Sequence, residues 1–427
     1  MASSRRRLRP RSIALVGVAG LIAGLASGIA STGSAFAAER PSRGCVSSVP
    51  YAAGQHGYDT YRIPATVTTL PHSRLRSSGG TPIGTVLAFA EGRRDGAGDT
   101  GNIDVVLRRS FDGGCTWGPL SVVAAGKGDT RGNPAPVVDP RTGKVVLLTS
   151  YNSGAVTEAQ IMRGEVTAEQ SRRVFVQTSR DDGRRFSAPR DITSAVKLPG
   201  WRWYATGPGH AVALTRGPYA GRLVVPSNHS ASPAAGSGDT GQEPKYYGAH
   251  AIYSDDGGVT WRVGFVDDSY DGVDNANENA VAQLPDGRLY FSSRDQHGSS
   301  VGNRLDSYSS DGGVTLDRPY LVQPTLNDVP VVQGSVLQLT GVGQGAGAPL
   351  LFSGPSVPTV RQSMAVWRSA DAGRSFTKAK TLSTLPAAYS DLVQLGSDRV
   401  GVLYETGTTG MYEGIEFRRV PVGELRG

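Results

Sequence analysis

An eight-residue pattern, Ser-x-Asp-x-Gly-x-Thr-Trp in its fullest form, occurs five times in this chain and restricts the fold more than any other feature. The copies run from Ser110 to Trp117, Ser179 to Phe186, Ser254 to Trp261, Ser309 to Leu316 and Ser369 to Phe376. Each reads as a tight β-hairpin turn: the Asp accepts backbone N–H bonds, the Gly supplies a positive φ, and the closing apolar residue is an anchor to bury. Each follows an alternating or β-branched run, such as Ile103 to Arg109 or Met364 to Arg368, so strand, turn, strand is the local reading. Successive copies start 69, 75, 55 and 60 residues apart. That is wider than a solenoid repeat and suits a four-stranded propeller blade with long loops. Ordinary Asp-Gly hairpins in a β-sandwich are the alternative, but the shared Ser and the shared closing residue exceed what turn chemistry demands.

Residues 1–37 carry the marks of a signal peptide. Arg5, Arg6, Arg7, Arg9 and Arg11 precede an apolar stretch from Ile13 to Ile29, and Ala35-Phe36-Ala37 supplies a cleavage site. The adjacent arginines fit a twin-arginine signal and an ordinary secretory one alike. Removing these five arginines takes the formal net charge from +7 to +2, so the apparent basicity belongs to the leader. No basic cluster interleaved with aromatics follows, which argues against a nucleic-acid partner. Residues 38–427 then form the mature chain; the whole sequence is rich in Gly (57) and Pro (26) and without long helical periodicity, as an all-β chain full of turns requires. The two cysteines, Cys45 and Cys115, both survive cleavage; in an exported protein they form either one disulfide, tying the N-terminal segment to the first octet, or two free thiols.

Tyr58-Asp59-Thr60-Tyr61-Arg62-Ile63-Pro64-Ala65 is the next distinctive stretch. With the octets following it and an export signal before it, the chain resembles the bacterial exo-sialidases (neuraminidases), which combine a Phe/Tyr-Arg-Ile-Pro motif with such Asp-boxes. The resemblance spans about Tyr58 to Arg419. It implies a six-bladed β-propeller with the substrate pocket on the axis, octets away from the pocket, and a blade closed by N- and C-terminal strands. About 390 residues over six blades gives roughly 65 each, close to the octet spacings.

The resemblance also implies site residues. A sialic acid carries a permanent carboxylate at its anomeric carbon, which planar, always-charged guanidinium groups grip best; Arg62, Arg294 and Arg361 match the family's three arginines. A carboxylate nucleophile would be repelled by the substrate carboxylate, so a phenol suits better, and sialidases depart from the usual two-carboxylate scheme in this way. Tyr389 matches the family nucleophile and Glu278 its base. Asp99 matches the acid that protonates the leaving oxygen, with Asp95 as a rival in the same Gly-rich loop. Glu405 resembles the acid that orients the first arginine, and Glu91 and Arg93 match the pocket floor beside the sugar hydroxyls. Ser230 to Gln242, low in complexity, reads as a mobile loop bearing on linkage preference.

The expectation is a secreted, monomeric, retaining exo-α-sialidase acting through a tyrosyl-enzyme intermediate on sialylated glycans, glycoproteins or glycolipids. It needs no metal or cofactor and is not inserted in a membrane once the leader is gone. The alternatives are a silent sialic-acid-binding lectin, a hydrolase of deaminated sialic acid, and a trans-sialidase. The lectin would keep the arginines and lose Tyr, Glu or the acid, none of which is missing.

Overall fold

The computed structural model describes residues 45–71, 83–341 and 348–425; the expected signal peptide, residues 1–37, lies outside them. Strands dominate, arranged as antiparallel runs of consecutive neighbours. The first run is Thr60–Thr68, Val86–Arg93, Ile103–Ser110 and Ser121–Ala124; the second is Thr130–Val138, Val145–Asn152, Arg173–Ser179 and Arg190–Asp191. A single parallel pair, Ile103 with Thr130, joins these two into one eight-stranded sheet. Trp201–Thr206, Leu223–Ala231, Tyr247–Ser254 and Arg262–Val266 make the third run, with Val212–Ala213 beside it, and Ala276–Gln283, Leu289–Asp295, Arg304–Ser309 and Leu321–Val322 the fourth. Ser335–Gln338, Leu350–Val357, Val360–Ser369 and Thr377–Thr381 make the fifth. The last run is Ala387–Gln394, Arg399–Thr406 and Gly414–Pro421, completed by the N-terminal strand Ser47–Ala52, which pairs with Gly414–Pro421.

Thr60–Thr68 touches Thr130–Val138 and Ala387–Gln394, Trp201–Thr206 touches Thr130–Val138, Leu223–Ala231 touches Ala276–Gln283, and Ser335–Gln338 touches both Ala276–Gln283 and Ala387–Gln394, so the runs close into a ring. This is a β-propeller, whose closure leaves only short sheet edges. Apolar clusters fill the wedges between neighbours. Val137, Val146 and Val176 of the second run meet Tyr204, Val225 and Ile252 of the third, and Phe352 and Trp367 of the fifth meet Ala282 and Tyr290 of the fourth.

Every octet joins the third strand of its run to the fourth, and its closing residue enters the wedge shared with the preceding run. Trp261 lies among second-run residues, and Phe376 among fourth-run residues. The turn itself is self-saturating. In the third octet, Asp256 accepts from the Ser254 hydroxyl (2.8 Å), from the Val259 and Thr260 amides (2.9 Å each) and from the Thr260 hydroxyl (2.6 Å). Such a carboxylate has no need of a cation. Glycine is required at the fifth position twice over: Gly373 has φ +89°, and a Cβ there would stand 2.6 Å from the Tyr290 ring of the preceding run. The last run has no octet because its fourth strand comes from the other end of the chain. There Cys45 and Cys115 form a disulfide with Cα atoms 5.8 Å apart, fastening that strand to the first octet.

Candidate active site

The opening strands carry a second recurring feature, which no turn motif announces. Pairing with the second strand slips between Arg62 and Ala65, Gly132 and Ala135, Trp201 and Tyr204, Ala276 and Asn279, and Ala387 and Ser390. In the four of these runs that carry an octet, the slip lies at the opposite end of the run. A bulge leaves residues unpaired and re-aims their side chains, and the residues it frees include Glu278 and Tyr389. In the first run the bulge is Ile63-Pro64. Ile63, β-branched and buried, has φ 57°, a strained conformation costing about 1–3 kcal/mol. Glu405 helps hold it there by accepting the Ile63 amide at 2.8 Å.

These ends surround a cleft of about 680 Å³ lined by Arg62, Glu91, Arg93, Asp99, Glu278, Arg294, Arg361 and Tyr389. Glu405 is fully buried beneath it and accepts from Arg62 Nε (3.3 Å) and the Tyr389 amide (3.2 Å), fixing clamp and phenol together. The structure thus assembles all nine residues singled out in the sequence. Asp95 is exposed and does not line the cleft.

Tyr389 Oη donates to Glu278 Oε1 at 2.6 Å, and Glu278 Oε2 accepts from Arg294 Nη1 at 3.0 Å. Burial first, and the Glu278 carboxylate second, push the Tyr389 phenol well above its usual range against the pull of Arg294, Arg62 and Arg361. The phenol is therefore neutral at rest, with an acceptor for its proton already in contact. Arg62 and Arg361 also lie over the Tyr389 ring, at 5.1 and 5.8 Å from its centroid, and Arg62 stacks on Tyr412 at 4.2 Å.

Asp99 has a half-exposed side chain and pairs with Arg93 (2.9 Å) and Arg62 (3.3 Å). Burial acts to raise its carboxyl, but Arg93 and Arg62 prevail and hold it below the ordinary range. Arg93 does more than line the floor: it donates to Ala97 O (2.5 Å) and Gly98 O (2.9 Å) and grips Glu91, so it pins the loop that presents Asp99. Glu91 in turn accepts the Asn133 amide at 2.7 Å, within the second run's bulge.

The chain matches the BNR repeat-like domain model over residues 84–402. It is 32% identical to a sialidase of Micromonospora viridifaciens over 365 residues, covering 83% of this chain and 51% of the relative. With an exo-alpha-sialidase of Aspergillus fumigatus it shares 30% identity, covering 82% of this chain and 79% of the relative. The chain belongs to the sialidase family of glycoside hydrolases. The solved Hadza microbial sialidase Hz136 superposes with a TM-score of 0.71 at 25% identity, over 89% of this chain and 69% of that one. The chain spans about half the length of the Micromonospora relative.

This sialidase-family cleft also contains residues that sequence reasoning missed: Glu158, Arg172, Tyr247 and Tyr412 among them. Glu158 opens the short helix Glu158–Arg163, whose Thr157-x-x-Gln160 capping box was a usable signal in the sequence. Arg172 had none, being one of two adjacent arginines. The Ser230 to Gln242 loop, expected to be mobile, is tied down instead: Arg163 Nη1 donates to Gln242 (2.9 Å), Arg202 to Thr240 O (3.1 Å), and Lys245 pairs with Asp239 (2.7 Å). Among the described residues no group of three or more His, Cys, Asp or Glu could hold a metal ion.

Proposed function

We propose that the protein is a retaining exo-α-sialidase that removes terminal sialic acid from glycoconjugates through a tyrosyl-enzyme intermediate. The observation that carries this reading is the 2.6 Å contact between the buried Tyr389 hydroxyl and Glu278, set among three arginines. The substrate carboxylate takes Arg62, Arg294 and Arg361 and displaces Asp99 from Arg62. Losing that cation and gaining an anionic neighbour both raise the Asp99 carboxyl, which turns a resting carboxylate into an acid. Tyr389 Oη then attacks the anomeric carbon as its proton passes to Glu278, and the glycosidic oxygen leaves with a proton from Asp99. In the second half Asp99 deprotonates a water that attacks the same carbon, and Tyr389 departs, recovering its proton from Glu278. Two displacements retain the configuration.

Counting the eight-stranded sheet as two blades, since one residue pair joins its halves, gives six blades. Export is favoured by the leader sequence and by the Cys45–Cys115 disulfide, which suits an oxidising compartment. One chain supplies every side chain of the mechanism, so a monomer suffices. The test is a fluorogenic sialoside assay followed by mass spectrometry after incubation with a 3-fluorosialosyl fluoride. Turnover with a sugar label on Tyr389 is expected; a label on Glu278 or Asp99, or an inverted product, overturns the mechanism.

A further inference from the structure

Arg172 is the least satisfied cation of the cleft. Only 2% of it is exposed, and Nη1 donates to Asn133 Oδ1 at 3.2 Å. Its guanidinium lies 3.5 Å from the centre of a Trp203 ring. Nε is buried with no partner, and among the described residues Nη2 has no hydrogen-bond partner and no carboxylate within ion-pair distance. Glu158, Glu91 and Asp99 act on it only from a distance, and burial pulls its guanidinium down to about 10, so it stays charged at neutral pH. A buried charge with unfilled donors is costly unless something supplies acceptors. Here the open side is the cleft.

Its position says what arrives there. Arg172 immediately precedes the third strand of the second run, as Arg361 stands near the start of the third strand of the fifth. In the ring of six blades those runs are three steps apart in either direction, so the two arginines face each other across the axis. In the pyranose ring of a nonulosonic acid, C5 lies directly across from C2, the carbon that bears the carboxylate. With that carboxylate held by the clamp, the C5 substituent is the group directed toward Arg172.

We propose that Arg172, backed by Asn133 and Trp203, makes this wall a polar subsite that selects a hydroxyl at C5 over an N-acetyl group, so that the preferred substrates are glycosides of the deaminated acid. This rests on the sialidase reading above and narrows its substrate class. A C5 hydroxyl offers lone pairs to the unfilled donors and leaves room for a bridging water. An acetamido group is larger, and with its one carbonyl turned to Nε or Nη2 it would press its methyl against a charged guanidinium whose other acceptor is Asn133 Oδ1; sites built to bond a hydroxyl discriminate strongly against groups that cannot replace it.

The test compares kcat/KM for 4-methylumbelliferyl glycosides of the C5-hydroxyl, N-acetyl and N-glycolyl acids, with calorimetric binding of the matching 2,3-unsaturated analogues. The wild type should favour the C5-hydroxyl substrate over the N-acetyl one by roughly tenfold or more. Arg172→Leu should shift that ratio toward the N-acetyl substrate by at least about tenfold, and Arg172→Lys, which keeps the charge, should shift it less. If Arg172→Leu fails to fold, the wild-type ratio and the lysine variant still decide. Equal use of the two substrates, or preference for either N-acyl form, overturns the inference and leaves the hydrolase reading standing. Absence of turnover on all three overturns the hydrolase reading, and the binding preference of the unsaturated analogues then tests the subsite alone.

Discussion

The two ends of the propeller spend their carboxylates differently. At the octet end, Asp112, Asp181, Asp256, Asp311 and Asp371 each bond within their own turn, to a Ser two residues back and to an amide four residues on. At the cleft end, Glu405 meets Arg62 from 343 residues away, and Glu278 meets Tyr389 across 111. Arg361 and Ser369 open the contrast on a single strand, Val360–Ser369, with roughly 26 Å of chain between them. A turn that saturates itself can be repeated without reference to the rest of the molecule, so it serves as a structural unit. Carboxylates that depend on distant partners come together as a site only when the ring has closed.

That contrast is tested hardest at Tyr389. Tyr389→Phe should lower kcat by about 10⁴-fold or more, as loss of a nucleophile does, while the melting temperature and the binding of an unsaturated sialic acid analogue stay close to wild type. A variant that binds as poorly as it turns over would mean that the cleft end is as self-contained a structural unit as the octets. Glu278→Gln should cost about 10²–10⁴-fold in turnover, least for aryl glycosides with good leaving groups. Arg361→Ala should weaken analogue binding by about 2–4 kcal/mol, measured by titration calorimetry. Among the described residues it has no carboxylate partner, donating to Tyr412 Oη (3.3 Å) and Val331 O (3.2 Å), so its removal should disturb the fold less than removal of Arg62.

The difference between the ends also governs what could be read from the sequence. Octets are legible because their bonds are local: Ser, Asp, Gly and the closing residue are all within eight positions. Tyr389 and Glu278 are legible only through motif register, since nothing near Ala388-Tyr389-Ser390 marks the phenol as reactive. The bulges that free Glu278 and Tyr389 are pairing defects between two strands and leave no composition of their own, although Ile63-Pro64 and Asn133-Pro134 repeat a left-handed residue before proline. Arg172 and Arg173 show the limit most clearly. They are adjacent and chemically identical, yet one is buried over Trp203 and the other half-buried and paired with Asp191. Only the tertiary fold determines which of the two faces the axis.

The smallest effect should come from the octets themselves, and it should appear in acid stability, leaving activity unchanged. Burial acts to raise the Asp256 carboxyl, but hydrogen bonds from Thr260, Ser254 and Val259 outweigh it and bring it down to about 2, against about 3.9 for an unfolded Asp. A carboxyl depressed in the folded state stabilises the protein above the unfolded value and loses that contribution as pH falls through the folded one. The window for Asp256 is therefore about pH 4 down to about 2. Asp256→Asn should lower the melting temperature at pH 7 by roughly 1–3 °C, and the gap to wild type should close as the pH approaches 2. Asp181 provides the internal control: Arg185 stands where Thr260 stands, so its carboxylate accepts from Ser179 Oγ (2.9 Å) and the Arg185 amide (2.9 Å) without a closing hydroxyl bond. Asp181→Asn should cost less than Asp256→Asn at neutral pH, with kcat/KM unchanged in both. Differential scanning calorimetry from pH 2 to 7 reads the outcome; equal losses in the two variants, or a gap that widens in acid, would show that the turns are not stabilised by their own carboxylates.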